Sequence, residues 1–261
     1  MKRFLQGLIH LMPATSNAWW YWGVFPRRIA AVRGAYPTWN AAQKAAATRH
    51  NVPAKTKILT YRAPEGAQIH PLAERDYPVV LHMQHLLGPD TRVVNIGGSL
   101  AKEYASYRRL IPFPEGLRWH ICEVPEVAAA GQKMVETGGY PGLSFGTEIA
   151  GAADILLICG ALQYLTATLP ELLAQFEAFP DHIFISRTPM QNHVPRFYTV
   201  QNIGSSTVPY RIDNETTFVQ EMIDAGYTLQ DAWRDQRKLV IPWHQAGNVD
   251  GYLGFYFKRA A

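Results

Sequence analysis

The segment VVNIGGSLAKEY, residues 93–104, carries the most chemistry in this sequence. Gly97 and Gly98 close a short apolar run and open a helical stretch. Glycines at such a junction let the backbone turn sharply and approach a nucleotide, and a helix start offers free N–H groups. The next apolar run, WHICEV, ends on Glu123, 26 residues after Gly97. A carboxylate there can accept hydrogen bonds from both ribose hydroxyls of an adenosine cofactor, an arrangement found at a spacing of about 20 residues in dinucleotide folds. The loop IPFPEGL absorbs the extra length. Reading on from Gly97 gives Gly98, Ser99, Leu100, Ala101 and Lys102, so G-x-G-x-x-G is absent and a nicotinamide oxidoreductase loses its pyrophosphate support.

The elements that must position these residues follow from hydrophobic pattern. From Thr91 onward, Val- and Ile-rich runs alternate with helical stretches: RVVNIG then LAKEYASYRRL, WHICEV then PEVAAAGQKMVE, LSFG, ADILLICG then ALQYLTATLPELLAQFEAF, and HIFISRT. Runs that are apolar throughout, separated by helices, predict a mostly parallel sheet covered on both faces, a Rossmann-like α/β fold. NETTFVQEMIDAGYTLQDAW reads as a helix and a strand, and GYLGFYFKRA as a terminal strand that adds an edge pair. Residues 188–213 read as a long insertion between strand and helix, where His193, Tyr198, Gln201 and Tyr210 are placed to meet a substrate. Upstream, Thr38 to His50 is Ala-rich and helical by propensity, residues 52–70 read as connecting loop, and RDYPVVLHMQHLLG reads as a second helix with Pro78 in its first turn and Gly88 as its stop. The expected division is a basic, mostly helical extension over 1–88 and a cofactor-binding domain over 89–261, with a boundary near Pro89.

Composition narrows the function classes. With 261 residues, 48% hydrophobic and 18% charged, the chain is neither disordered nor fibrous. Cys122 and Cys159 both lie in apolar runs, which excludes a disulfide framework or a structural zinc site. His82 and His85 have H-x-x-H spacing with His70 upstream, but no third ligand converges on them, so no metal is expected. Residues 1–64 contain ten Lys or Arg and no acid, whereas the remainder is acidic overall. Such a split faces an anionic partner, whether membrane surface, phosphate-bearing substrate or nucleic acid, or covers the acidic part of the same protein. In MKRFLQGLIHLM, Gln6, Gly7 and His10 interrupt the apolar run and Pro13 ends it, which argues against a cleaved signal peptide, and no run reaches transmembrane length. Phe4, Leu5, Leu8, Ile9, Leu11 and Met12, followed by Trp19, Trp20, Tyr21, Trp22, Arg27 and Arg28, have the composition of an interfacial anchor over 1–28; the alternative is that the Trp residues are core. Nucleic acid ranks below small molecules and glycans, because the basic residues do not fall across the expected pocket.

The glycine segment fits a second loop pattern, D-x-G-x-G-x-G, read as Asn95-Ile96-Gly97-Gly98-Ser99-Leu100-Ala101. Together with WHICEVP, CGALQYL (159–165), SRTP (186–189), FYTVQ (197–201) and the spacing from Phe218 to Tyr227, it makes the chain, from about Tyr36 onward, resemble a family of bacterial class I S-adenosylmethionine-dependent methyltransferases associated with polysaccharide and lipopolysaccharide biosynthesis genes. The resemblance implies S-adenosylmethionine as cofactor, with Asn95, Gly97, Gly98 and Ser99 against its methionine part. It also implies Glu123 and Val124 at the ribose, Gly160, Ala161, Leu162 and Gln163 at the methyl-donor end, and Tyr164 looking into the acceptor pocket. Asn95 stands where the pattern has an acid and lacks the charge that would pair with the cofactor's amino group. Arg187, at a strand end, is a candidate for a substrate phosphate or carboxylate, or for a structural ion pair, and Gln201 is a further acceptor-side candidate. By family association the acceptor is a saccharide or lipid-linked glycan intermediate, handled in the cytoplasm or at the inner membrane face. The altered loop (Asn95, Ser99, Ala101) keeps a non-catalytic, scaffolding member of the same fold as the alternative. No general base announces itself.

Overall fold

The computed structural model describes residues 14–47, 72–149, 151–204 and 206–260. These form two compact units that interleave along the chain: one gathers the described residues up to 47 with 189–215 and 237–251, the other gathers 72–188 with 216–236 and 252–260. The apolar stripe Phe4–Met12, the loop over 52–70 and His70 lie outside the described residues.

In the smaller unit, strand β1 (Val32–Tyr36) pairs antiparallel with β7 (Phe197–Asn202), and β7 pairs antiparallel with β8 (Thr207–Asn214). The stretch expected as an insertion loop is thus largely strand. Its polar residues concealed it: Thr199, Gln201 and Asn202 are all buried. They are tolerated there because the Thr199 hydroxyl donates to the Arg33 carbonyl at 2.9 Å and the Asn202 amide donates to the Phe25 carbonyl at 2.7 Å. Helix α1 (Ala14–Trp19) runs into a π-helical turn over Trp20–Val24, and α2 (Trp39–Ala47) follows β1. Trp20, Phe25, Ala31, Ala42, Ala46 and Val200 form this unit's core. The N-terminal segment, expected to be mostly helical, therefore contributes a strand.

The larger unit is a Rossmann-like α/β fold. Strands β2 (Arg92–Ile96), β3 (Arg118–Cys122), β4 (Leu143–Gly146), β5 (Ile155–Cys159) and β6 (His182–Gln191) run parallel in the order β4-β3-β2-β5-β6. Beyond β6 lie β10 (Tyr252–Arg259) and then β9 (Tyr227–Arg234), an antiparallel pair that completes the edge as expected. All five residues of β5 are buried, which is why that strand reads as an uninterrupted apolar run. On one face, Val93, Leu157 and Phe184 pack with Val79, Val80 and Met83 of α3 (Tyr77–Met83) and with Tyr104 and Tyr107 of α4 (Lys102–Tyr107). The parallel register places Asn95 beside Leu157 and Cys159 beside Ser186, on that same face. Helix α5 (Pro125–Glu136) sits so close to β4 that a Cβ on Gly131 would come within 2.4 Å of the Phe145 ring. The helix expected over ALQYLTATLPELLAQFEAF is broken into a 3₁₀ turn at Leu162–Tyr164 and a separate α6 (Leu169–Leu173). A capping box between Thr168 and Glu171, with Pro170 in the first turn, imposes the new start. Helix α7 (Glu215–Asp224) precedes β9. Among the described residues no helix is long and apolar enough to cross a membrane, and none group as a metal site.

Candidate functional site

The carboxyl ends of β2, β3 and β5 converge on the glycine segment. Gly97 has φ +70°, and a Cβ there would lie 2.3 Å from the Ala161 Cβ, so the turn after β2 is seated directly on the turn after β5. A Cβ on Gly98 would fall 2.5 Å from the Asn95 Nδ2. Only glycines permit this closure. The Ser99 N–H donates to Glu123 Oε1 at 2.9 Å and the Val124 N–H to Glu123 Oε2 at 3.0 Å, so the strand-end carboxylate ties the β2 turn to the β3 turn. Ser99 and Ala101 also adopt left-handed backbone, which delays α4 to Lys102. Asn95 is fully buried, and neither amide atom has a hydrogen-bond partner among the described residues. At Gly160, φ is +79°; its N–H donates to the Ser186 carbonyl at 2.8 Å, and the Gln163 side chain donates to the Gly160 carbonyl at 2.8 Å.

A cavity of about 380 Å³ opens beside this loop, lined by Ile96, Cys122, Thr147, Glu148, Ile149 and Leu165, with Leu172 and Gln175 behind. It lies at the strand ends where open α/β sheets take their ligands. The sequence reading missed these walls. Only the run LSFGTE, a strand end bearing polar residues, hinted at Thr147 and Glu148.

A second cluster stands within β6: the strand expected to end at Arg187 continues to Gln191, with a left-handed break at Arg187 itself. Arg187 has φ +60°, its NH2 group donates to Glu103 of α4, and its Nε lies 3.7 Å from Asp76 Oδ1. Their side chains are only 11, 7 and 6% exposed, respectively. Arg187 is therefore engaged in a buried ion pair. Burial opposes the guanidinium charge, but neighbouring Cys159, Glu103 and Asp76 together raise its pKa and keep it protonated. Burial pushes the Cys159 thiol up to about 12 and the Tyr107 hydroxyl well above its usual value, so neither supplies a base near neutrality. Asp76 and Glu103 were not singled out in the sequence, where each looks like a solvated charge beside an apolar stretch.

Of the expected site residues, the fold brings together Asn95, Gly97, Gly98, Ser99, Glu123, Val124, Gly160 and Ala161. Leu162 and Gln163 are buried beneath the β5 turn, while Tyr164 is 40% exposed. Gln201 belongs to the smaller unit, buried in β7 with Val32 and Val208 as its strand neighbours. His193 is exposed, and His82 Nε2 pairs with Asp231 Oδ2 at 2.8 Å.

Compared with known proteins, the chain matches no protein-family model and no curated protein. Among solved structures it is similar to the 1,6-didemethyltoxoflavin-N1-methyltransferase of Burkholderia thailandensis with bound 1,6-didemethyltoxoflavin and S-adenosylhomocysteine, at 19% identity over 74% of this chain and 93% of that one, with a TM-score of 0.44. It is similar to a SAM-dependent methyltransferase from Geobacter sulfurreducens in complex with S-adenosyl-L-homocysteine, at 11% identity over 77% and 97% of the two chains, with a TM-score of 0.44. A third is the glycopeptide N-methyltransferase MtfA complexed with (S)-adenosyl-L-homocysteine, at 10% identity over 77% and 96%, with a TM-score of 0.48.

Proposed function

We propose that this chain is an S-adenosylmethionine-dependent methyltransferase with its cofactor held along the carboxyl ends of β2, β3 and β5. The observation that carries the reading is the glycine turn seated on Ala161 and tied by its Ser99 N–H to the strand-end Glu123, beside a cavity of about 380 Å³. The residues present fit the cofactor. Gly97 and Gly98 let the backbone close against Ala161 and Asn95 without side chains standing at the strand ends, and the buried Asn95 amide has hydrogen-bonding capacity to spare among the described residues. After accepting two backbone N–H groups, Glu123 keeps lone pairs for ribose hydroxyls. Ile96, Ile149, Leu165 and Leu172 give an apolar slot suited to an adenine, with Glu148 as an acceptor for its amino group. Bound there, the cofactor supplies a methyl group on a sulfonium that is already a good leaving group. Gly160, Ala161, Leu162 and Gln163 would line the donor end, and Tyr164 would face the acceptor. Holding donor and acceptor in line provides most of the rate enhancement such a transfer needs.

The acceptor we favour is a saccharide or lipid-linked glycan intermediate, on the family resemblance alone. An anionic membrane surface remains part of the proposal. Trp20 is core, but Trp19 and Trp22 are 63% and 54% exposed, near Arg27 and Arg28 in the chain. The test of the methyltransferase reading is calorimetric titration with S-adenosylmethionine and S-adenosylhomocysteine, with NAD and NADP as controls. Micromolar binding of the first pair is expected, weakened by about 1.5–3 kcal/mol in Glu123→Ala, the scale of hydrogen bonds to a charged group. If neither S-adenosylmethionine nor S-adenosylhomocysteine binds, the reading is overturned.

A further inference from the structure

Among the described residues, Asp76, Glu103 and Arg187 leave a charge unbalanced inside the larger unit. One guanidinium faces two carboxylates, all three side chains are nearly buried, and the cluster is formally −1. An uncompensated charge is costly in such surroundings. Asp76 is also underused, since among the described residues its Oδ1 is buried without a hydrogen bond, as is Arg187 Nε. Asp76 and Glu103 line a cavity of about 40 Å³ together with Leu72, Ala73, Ser106 and Tyr107. Lys102 lines it too, yet none of the described ion pairs joins it to either carboxylate.

The cluster adjoins the loop assigned to the cofactor. Glu103 lies in the first turn of α4, immediately after the Gly97–Ala101 segment, and the Arg187 Cβ would be 3.5 Å from a Cβ placed on Gly160. Asn95, at the acid's place in the loop pattern, brings no charge of its own. Resting on the methyltransferase reading, we infer that Asp76 and Glu103, held by Arg187, form a buried counter-charge that selects the sulfonium cofactor over its neutral thioether product.

The charge arithmetic gives the reason. S-adenosylmethionine carries an ammonium, a carboxylate and a sulfonium, net +1, and neutralises the cluster. In the transfer, the acceptor's lone pair forms the new bond to the methyl carbon, and the electron pair of the broken carbon–sulfur bond stays on sulfur. The acceptor's proton passes to water, and the spent cofactor is left with no net charge. The cluster then returns to −1, so turnover itself loosens the product.

The test is isothermal titration of the full chain with S-adenosylmethionine, S-adenosylhomocysteine and sinefungin, whose amine places an ammonium near the sulfonium position. The wild-type protein should bind the two cationic ligands about tenfold or more tighter than the thioether, the scale of one charge pair in a partly buried setting. Asp76→Asn and Glu103→Gln should each bring that ratio to within about threefold while changing thioether affinity little. Equal wild-type affinity for charged and neutral ligands overturns the inference, and this comparison does not depend on how the variants fold. A ratio that persists in folded variants, checked by circular dichroism, overturns it equally. If the wild-type protein binds none of the three, the methyltransferase reading falls and takes the counter-charge with it. Binding of all three with equal affinity leaves that reading standing and removes only the counter-charge.

Discussion

Replacing Gly97 with alanine would place a methyl carbon 2.3 Å from the Ala161 Cβ, in a residue whose φ is +70°. Two costs follow. Left-handed backbone costs a non-glycine residue about 1–2 kcal/mol, and overpacking a close contact costs about 1–3 kcal/mol. Together they predict a loss of about 2–5 kcal/mol, a large part of the 5–15 kcal/mol that holds a typical domain together. The two parts can be separated, because the next nearest atom to the added Cβ, the Ala161 Cα, is 3.7 Å away, an ordinary contact. Ala161→Gly should therefore return the steric share, leaving the backbone share of about 1–2 kcal/mol plus the cost of the second substitution itself. Alone, Ala161→Gly should cost about 0.4–1 kcal/mol through unfolded-state entropy. Urea unfolding of the four proteins closes a double-mutant cycle, with a coupling of about 1–3 kcal/mol expected in the rescuing direction. Cofactor titration of the same set should show the single Gly97 variant weakest. A loss in Gly97→Ala below about 0.5 kcal/mol, the level of an indifferent surface change, would refute the seating of the two turns, as would a double variant no more stable than Gly97→Ala.

Two further predictions concern other parts of the molecule. Burial lowers the His182 pKa from 6.5, with Lys258 adding to the effect and Asp181 opposing it; its Nδ1 lies 2.9 Å from the Tyr256 hydroxyl oxygen. The unfolded chain then takes up the proton first, so this residue's contribution to stability is present above pH 6.5 and is lost as the pH falls toward the folded-state midpoint. An NMR titration should place that midpoint below 6.5, and the urea midpoint of wild-type protein should fall more steeply on acidification than that of His182→Gln; equal slopes would contradict the assignment. At the N-terminal segment, Trp19→Ala with Trp22→Ala should lower co-sedimentation with vesicles containing phosphatidylserine, while leaving thermal stability nearly unchanged because both rings are exposed. Undiminished sedimentation would remove the membrane surface from the proposal.

What the sequence determined by itself is what local pattern encodes. The apolar run of β5, the strand–glycine–helix junction at Gly97 and the carboxylate at the tip of β3 are each read within a dozen residues, because burial on both faces and the demand for positive φ act on the residues themselves. The pairing of Val32 with Gln201 has no such local signature, and β7 hides behind polar residues whose partners lie far along the chain. The helix expected after Cys159 follows composition, whereas the Thr168–Glu171 capping box, a local signal in the same stretch, restarts it. Arg187 and Glu103 stand 84 positions apart, and nothing near either one in the sequence distinguishes a buried pair from two solvated charges. Only the tertiary structure decided that they meet, that Asp76 joins them, and that the walls from Ile96 to Leu172 enclose a cleft. The physical reason is that periodicity and backbone preference are properties of neighbours in the chain, while cavities and buried ion pairs depend on which distant surfaces pack together.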